Sequence, residues 1–369
     1  MRAAHEHTPT RSGLPRVVMA GPLPPGIGGM VTVIEDLSAS RLASDIDLVL
    51  FDTKKTTPEG RALWQAIVAR LKLCARWWAA LGVPGTIAHI HTCSGLSYFL
   101  DGSLLLLARA RGVPVLLHIH GGLFEDFLRA LSPAARCIAQ FIARRASQVV
   151  VLSTGWRDRL APLLPGARLS IIENGIRLPL QTADRADADV PTILFLGTVS
   201  TAKGVEDLIE AIGRLRHPFR LVLVGGEDPP GIGVRLRARA TQFRLAGCVE
   251  FTGPVYGAAK HDWLRTADIF VLPSHAEALP MALLEAMAHG LAVVASRVGA
   301  IPSVVVDERS GLLVDARDVD QIAGALERLL ADRELRARFG REAQRVAHAR
   351  YSVDRAAAEL IDLYRKVAA

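Results

Sequence analysis

The chain has 369 residues, half of them apolar, which is material for two domains of ordinary size with a core each. Its apolar runs are short: 103–108 meets Arg109 and Arg111 at once, and no segment approaches the ~20 residues of a membrane span. The net charge of +7 sits wholly in the first half, where residues 1–181 hold 20 Lys/Arg against 12 Asp/Glu, while the remainder holds 24 against 25.

Such a basic face points to an anionic partner, phospholipid or a pyrophosphate carrier. No zinc finger, RNP-type motif or aromatic-rich basic stripe points to nucleic acid.

In chain order, residues 1–13 carry no apolar signal segment and read as a disordered lead-in. Residues 15–20 form a short apolar strand that runs into the loop Gly21-Pro22-Leu23-Pro24-Pro25-Gly26-Ile27-Gly28-Gly29-Met30, and 30–37 read as a helix. That loop lacks the Gly-Lys-Ser/Thr ending of a Walker A element and is not GxGxxG. Gly28 and Gly29 would let backbone approach a ligand closely; a plain tight turn is the alternative.

Strands follow at 48–52, 86–91, 113–120, 148–152 and 167–172. Between the first two lies 61–81, where Arg61, Arg70, Lys72 and Arg76 accompany Trp64, Trp77 and Trp78. It reads either as a membrane-interface helix or as a packing helix of the domain. Alternation puts His118 and His120 on one side of their strand, and His89 and His91 end an earlier one.

The second half repeats the pattern with strands at 192–196, 219–224, 249–252, 269–272, 292–295 and 311–314. Short Val/Ile/Leu strands alternating with amphipathic helices predict parallel sheets with sites at the carboxyl ends of the strands. The polar stretch before 192 marks a linker at 182–191, which divides an N-terminal domain, 14–181, from a C-terminal one, 192–350. A last helix is expected within 351–369. Cys74, Cys93, Cys137 and Cys248 show no CxxC pairing and read as reduced thiols of a cytoplasmic protein.

The densest chemical signal is Pro273-Ser274-His275-Ala276-Glu277-Ala278-Leu279-Pro280-Met281-Ala282-Leu283-Leu284-Glu285. A strand ends in a loop carrying a carboxylate, and a helix opens near Pro280 with free N–H groups and a positive dipole end suited to a diphosphate. Glu285 falls inside an apolar run, where an unpaired charge is costly, and is placed to accept hydrogen bonds from ribose hydroxyls. A second element runs from Leu194 through Gly197, Thr198 and Lys203 into a helix read at 204–215. There Lys203 can neutralise a leaving diphosphate.

These segments resemble the retaining glycosyltransferases of family 4, with Glu277 and Glu285 as the E-x7-E pair. Stretches 21–30, 118–122, 173–176, 195–208, 221–227, 249–253, 267–274 and 299–313 carry the same resemblance, which runs from about residue 16 to the C-terminus. It implies the GT-B fold: an α/β chain of two Rossmann-like domains facing across a cleft, with the last helix crossing back to the first. It further implies a nucleotide-sugar donor, UDP- or GDP-linked, no cofactor and no metal. Glu285 would bind ribose, Glu277 and His120 would meet the donor sugar, and Lys203 the diphosphate. Gly28, Gly29, Gly197, Thr198, Gly225 and the backbone of Leu279, Met281 and Ala282 would line the donor. The family often has a basic residue where this chain has Thr198.

The implied acceptor is a saccharide or polyprenyl-linked saccharide for surface polysaccharide or glycolipid, met on the inner face of the plasma membrane. A sugar-nucleotide epimerase of the same fold and a non-catalytic nucleotide-sugar-binding subunit are the rival readings.

Overall fold

A computed structural model describes residues 14–26, 28–54, 63–179 and 190–368. The lead-in and most of the expected linker lie outside the described residues. The first half contributes β1 (Arg16–Gly21), β2 (Asp47–Asp52), β3 (Thr86–Thr92), β4 (Val115–Ile119), β5 (Gln148–Val151) and β6 (Leu169–Ile171), in the order β2-β1-β3-β4-β5-β6. The second contributes β7 (Thr192–Leu196), β8 (Arg220–Val224), β9 (Val249–Gly253), β10 (Ile269–Leu272), β11 (Ala292–Ser296) and β12 (Leu312–Val314), in the order β12-β11-β10-β7-β8-β9.

Every pairing is parallel, as expected of strands apolar on both faces. β3, β4, β10 and β11 are buried along their whole length. In each sheet the chain reverses its direction of winding beside the first strand, between β1 and β3 and between β7 and β10. Helices there leave on opposite sides and open a crevice beyond the carboxyl ends.

Two boundaries differ from expectation for a local reason. The helix read at 204–215 spans Val205–Ile212 and is preceded by a separate 3-10 turn, Thr201–Lys203. Gly204 between them is left-handed, with φ 67°, so Lys203 projects from the turn rather than from the helix.

The segment read at 61–81 forms the helix Leu63–Ala80, and its cations and rings are divided between two tasks. Trp77 is fully buried and its indole donates to the Leu104 carbonyl at 2.9 Å. Arg70 donates to the Leu100 carbonyl and, at 2.8 Å, to the Ser103 hydroxyl. Arg76 lies 5.6 Å over the Phe51 ring. Trp64, Ile67 and Leu71 instead form an exposed apolar row. Both readings of this helix thus find residues: Trp77 and Arg70 tie it to its own domain through carbonyl hydrogen bonds, while Arg76 and the apolar row stay exposed. Arg61 lies outside the described residues.

Two chain crossings join the halves. Residue 176 in the first and residues 351–353 in the second pair like strands, Ile176 donating to the Tyr351 carbonyl and Val353 donating to that of Ile176, both at 2.8 Å. Arg350 grips Glu173 through two nitrogens, at 2.8 and 2.5 Å. The final helix, Val353–Ala368, then packs on the first-domain helices Gly29–Ser38 and Leu42–Asp45. A side chain at Gly175 would stand 2.6 Å from the Ser352 carbonyl oxygen. Gly175→Ala is therefore expected to cost about 1–3 kcal/mol, the usual cost of overpacking against backbone. Thermal unfolding of the two proteins measures it, and an unchanged transition would show that the crossings can part freely.

Candidate functional site

The crevices of the two sheets open onto one cleft of about 1290 Å³. Its second-domain wall is built mainly from the segments after β7, β8, β9 and β10; its first-domain wall comes from those after β1, β3, β4 and β6. Gly28, Gly29, His120, Gly197, Thr198, Lys203, Gly225, Glu277, Leu279, Met281, Ala282 and Glu285 all line it, so the residues to which the family resemblance gives a donor role are brought to one place, whereas His89, His91 and His118 lie behind it.

At the mouth of β10, Glu277 is buried and accepts from Lys203 Nζ at 2.5 Å and from the Ser274 hydroxyl at 2.7 Å, both on Oε1. Two loops after adjacent strands thus meet through one carboxylate oxygen. Pro280 caps the helix Met281–Ala288, and the first N–H groups of that helix have no intrahelical acceptor. One full turn inside it, Glu285 is equally buried and accepts from Lys260 Nζ at 2.7 Å.

His275 lies beside Lys203 in the cleft wall, with Nε2 at 2.6 Å from Asp207 Oδ2. Across the cleft, Asp36 holds Arg177 at 2.8 Å. Burial pushes the Asp36 carboxyl up to about 6, against the pull of Arg177, with Glu285 adding to the rise.

First and second domains touch inside the cleft. Asn174 donates to the Leu279 carbonyl at 3.0 Å. Gly122 lies so close that a Cβ there would stand 2.7 Å from the Glu277 carbonyl carbon. The loop that carries His120 is thereby pressed against the loop that carries Glu277.

Lys260, Asp36, Arg177, Asn174 and the His275–Asp207 pair carry no mark of their own as site residues in the sequence. Lys260 reads as an ordinary cation on a solvated helix face. Asn174 falls inside a motif already singled out, and that was its one signal. Arg317, after β12, is a further cation of the cleft lining.

The four histidines at the ends of β3 and β4 form one stack. His91 lies opposite His118 in register, and ring centroids of His89–His91, His91–His118 and His118–His120 are 4.3, 5.0 and 4.2 Å apart. His89 Nδ1 is 2.6 Å from the Tyr364 hydroxyl on the final helix, and His89 Nε2 is 3.2 Å from His118 Nδ1. His91 Nδ1 is 2.8 Å from His120 Nε2.

Nitrogens of His89, His91 and His118 lie within 4.8 Å of one another. In the structure these nitrogens are engaged with one another, His89 Nε2 with His118 Nδ1 and His91 Nδ1 with His120 Nε2. Burial drives His89 and His120 down to about 3, and His91 and His118 well below the ordinary value, so the stack is neutral.

Comparison with known proteins bears on what such a cleft handles. Residues 181–346 match the family model for glycosyl transferases group 1, and residues 28–175 that for a glycosyl transferase 4-like domain. A D-inositol 3-phosphate glycosyltransferase of Xylanimonas cellulosilytica is 32% identical over 75% of this chain and 71% of its own. The chain belongs to the family 4 glycosyltransferases.

Its namesake in Acidothermus cellulolyticus is 30% identical over 92% of this chain and 87% of its own. Among solved structures, sucrose-phosphate synthase from Thermosynechococcus elongatus superposes with a TM-score of 0.81 at 21% identity, covering 95% and 98% of the two chains. HepE of Anabaena in complex with UDP-glucose superposes at 0.73 and 19%, covering 94% and 99%. These likenesses bear out the GT-B fold for this glycosyltransferase.

The stack gives stability a definite pH dependence. Each of its histidines binds a proton near pH 6.5 when unfolded and resists one when folded, His89 and His120 down to about 3. Above pH 6.5 both states are neutral and the stack contributes no pH dependence; on acidification the unfolded state gains protons first. Stability is therefore expected to fall by up to about 1.4 kcal/mol per pH unit for each histidine below pH 6.5. Thermal unfolding at pH 7.5 and 5.5 tests this, and a glycosyltransferase equally stable at both would contradict it.

Proposed function

We propose that this glycosyltransferase moves a sugar from a UDP- or GDP-linked donor to a hydroxyl of a saccharide or lipid-linked saccharide, with retention of configuration and without a metal. The observation that supports it best is the pair of buried carboxylates, Glu277 and Glu285, each matched by a lysine at the edge of one cleft. Glu285 has two oxygens, and Lys260 occupies one. The other can accept from a ribose hydroxyl. A diphosphate would rest on the first-turn N–H groups of Met281 and Ala282, within reach of Lys203. HepE, of the same fold, holds UDP-glucose.

In the reaction the bond from the anomeric carbon to the phosphate oxygen breaks, and the acceptor oxygen bonds that carbon from the same face. The acceptor proton passes to the departing phosphate. Negative charge on the leaving group grows along this path, so Lys203 acts more strongly in the transition state than in the ground state. Glu277 holds Lys203 in place and can accept from a hydroxyl of the sugar. His120 meets the sugar from the other domain.

Donor-dependent transfer, assayed with UDP- and GDP-sugars, separates these roles. Lys203→Ala is expected to lower kcat by about 100-fold or more while donor Kd changes less than tenfold. Glu285→Ala should raise donor Kd by about 10–100-fold, the worth of hydrogen bonds to a charged group. Transfer should persist in excess chelator. Near-normal turnover of Lys203→Ala, or activity lost to chelator and restored by Mg or Mn, would overturn the scheme.

We further propose that the enzyme works at an anionic membrane surface in surface polysaccharide or glycolipid synthesis. Among the described residues no helix is long and apolar enough to cross a membrane. The exposed row Trp64, Ile67 and Leu71 on a basic domain supplies both an apolar edge and an attractive charge. Binding to phosphatidylglycerol vesicles should weaken with salt and drop at least several-fold in the double variant Trp64→Ser/Leu71→Ser, with donor affinity unchanged. Equal sedimentation with neutral and anionic vesicles would exclude the charged contact.

A further inference from the structure

The histidine stack holds a feature that the donor site does not explain. His91 is entirely buried; its Nδ1 is 2.8 Å from His120 Nε2, and its own Nε2 is buried with no hydrogen-bond partner among the described residues. A neutral imidazole carries one N–H, and the hydrogen between these two rings can belong to either.

If His120 Nε2 carries it, His91 Nδ1 accepts, and the His91 proton must sit on Nε2, a buried donor facing nothing. If His91 Nδ1 carries it, the atom left bare is only a lone pair. Orphaned buried N–H groups are rare in proteins, and an idle acceptor is the less costly defect. The second arrangement is therefore favoured. It leaves His120 Nε2 as acceptor and forces the proton of His120 onto Nδ1. Of the two residues, His120 is the one that lines the cleft.

We infer that His91 is a positioning residue: it fixes His120 as the Nδ1–H tautomer, so that His120 offers the donor sugar a hydrogen-bond donor from a neutral ring. This rests on the reading that His120 meets the sugar of a nucleotide-sugar donor. The consequence is selective. A fixed N–H rewards an oxygen on the sugar and contributes nothing to the nucleotide, which lies on the second-domain wall. The neutral stack behind it stays uncharged beside the diphosphate, so Lys203 remains the cation there.

Buried position favours the same assignment. His91 is stacked between His89 and His118, with ring planes within 27° and 29° of parallel. That packing holds the His91 ring in one orientation and keeps Nδ1 aimed at its neighbour. Rotating the ring to exchange its nitrogens would require the whole stack to move.

Two measurements on the full chain test this. Long-range proton–nitrogen NMR of histidine-labelled protein reads the tautomers directly; His120 protonated on Nδ1 is expected, and His120 protonated on Nε2 overturns the inference whatever the enzyme does. The second is binding, with UDP and UDP-glucose, or GDP and GDP-mannose if the wild type prefers that pair. His91→Leu should weaken the nucleotide sugar by at least tenfold and leave the free nucleotide within twofold. His91→Asn, whose amide nitrogen stands where Nδ1 stood, should restore most of that loss. Equal loss of both ligands in His91→Leu, or no recovery in His91→Asn, makes His91 a packing residue and overturns the inference. A wild type that binds neither nucleotide sugar would sink the donor reading, and the tautomer result would still stand alone.

Discussion

A carboxylate buried inside a helix as apolar as Met281–Ala288 is costly unless a cation reaches it, and that requirement shapes the second domain. Glu285 meets Lys260 from the helix Gly257–Thr266, and Glu277 meets Lys203 from the turn after β7. Each pair joins two different strand–helix units, so the relative placement of β7, β9 and β10 is tied to the charge balance of the cleft. Removing either member of a buried pair typically costs about 3–5 kcal/mol, because the other is left uncompensated. The same pairs keep both carboxylates as acceptors. A ligand that brings hydroxyls to one and a diphosphate to its lysine exchanges partners within a framework already neutral.

The first domain answers with different means. Its cleft wall presents glycines, a neutral histidine and the Asp36–Arg177 pair, and it reaches the second domain through backbone proximity at Gly122 and the amide of Asn174. With the approach of Met281 to Gly29, these contacts hold the two walls in register beside an open cleft.

Much of this was legible from residue order, and the parts that were not share a cause. Val/Ile/Leu-rich runs marked all twelve strands, because a parallel strand buried on both faces favours apolar side chains, the histidines and threonines of β3 being the exception. The eight-residue step from Glu277 to Glu285 was readable too, since a loop and the helix after it are contiguous in sequence. Lys260 was not, because its partner is 25 positions away and only the packing of two helices joins them. The histidines were placed at strand ends by alternation, but their stacking depends on the β3–β4 register, which opposes His91 to His118. The helix Leu63–Ala80 stayed open between two readings for another reason. Tryptophan and arginine occur on both of its faces, and both residue types serve equally well as core anchors and as surface anchors, so composition could not say which side was out.

The final helix has a consequence for how the chain can be made and divided. Residues 353–368 leave the ribosome after both sheets, yet they cover the helices Gly29–Ser38 and Leu42–Asp45, and Tyr364 closes over His89 in the heart of the first sheet. The domain that is synthesised first is therefore completed last. Until the second domain has been built, the nascent first domain lacks the apolar cover that Leu360, Ile361 and Tyr364 provide. A chain cut between residues 179 and 190 yields a second half encumbered by a helix that belongs elsewhere and a first half missing part of its core. An autonomous first domain would have to carry 353–368 grafted back onto it.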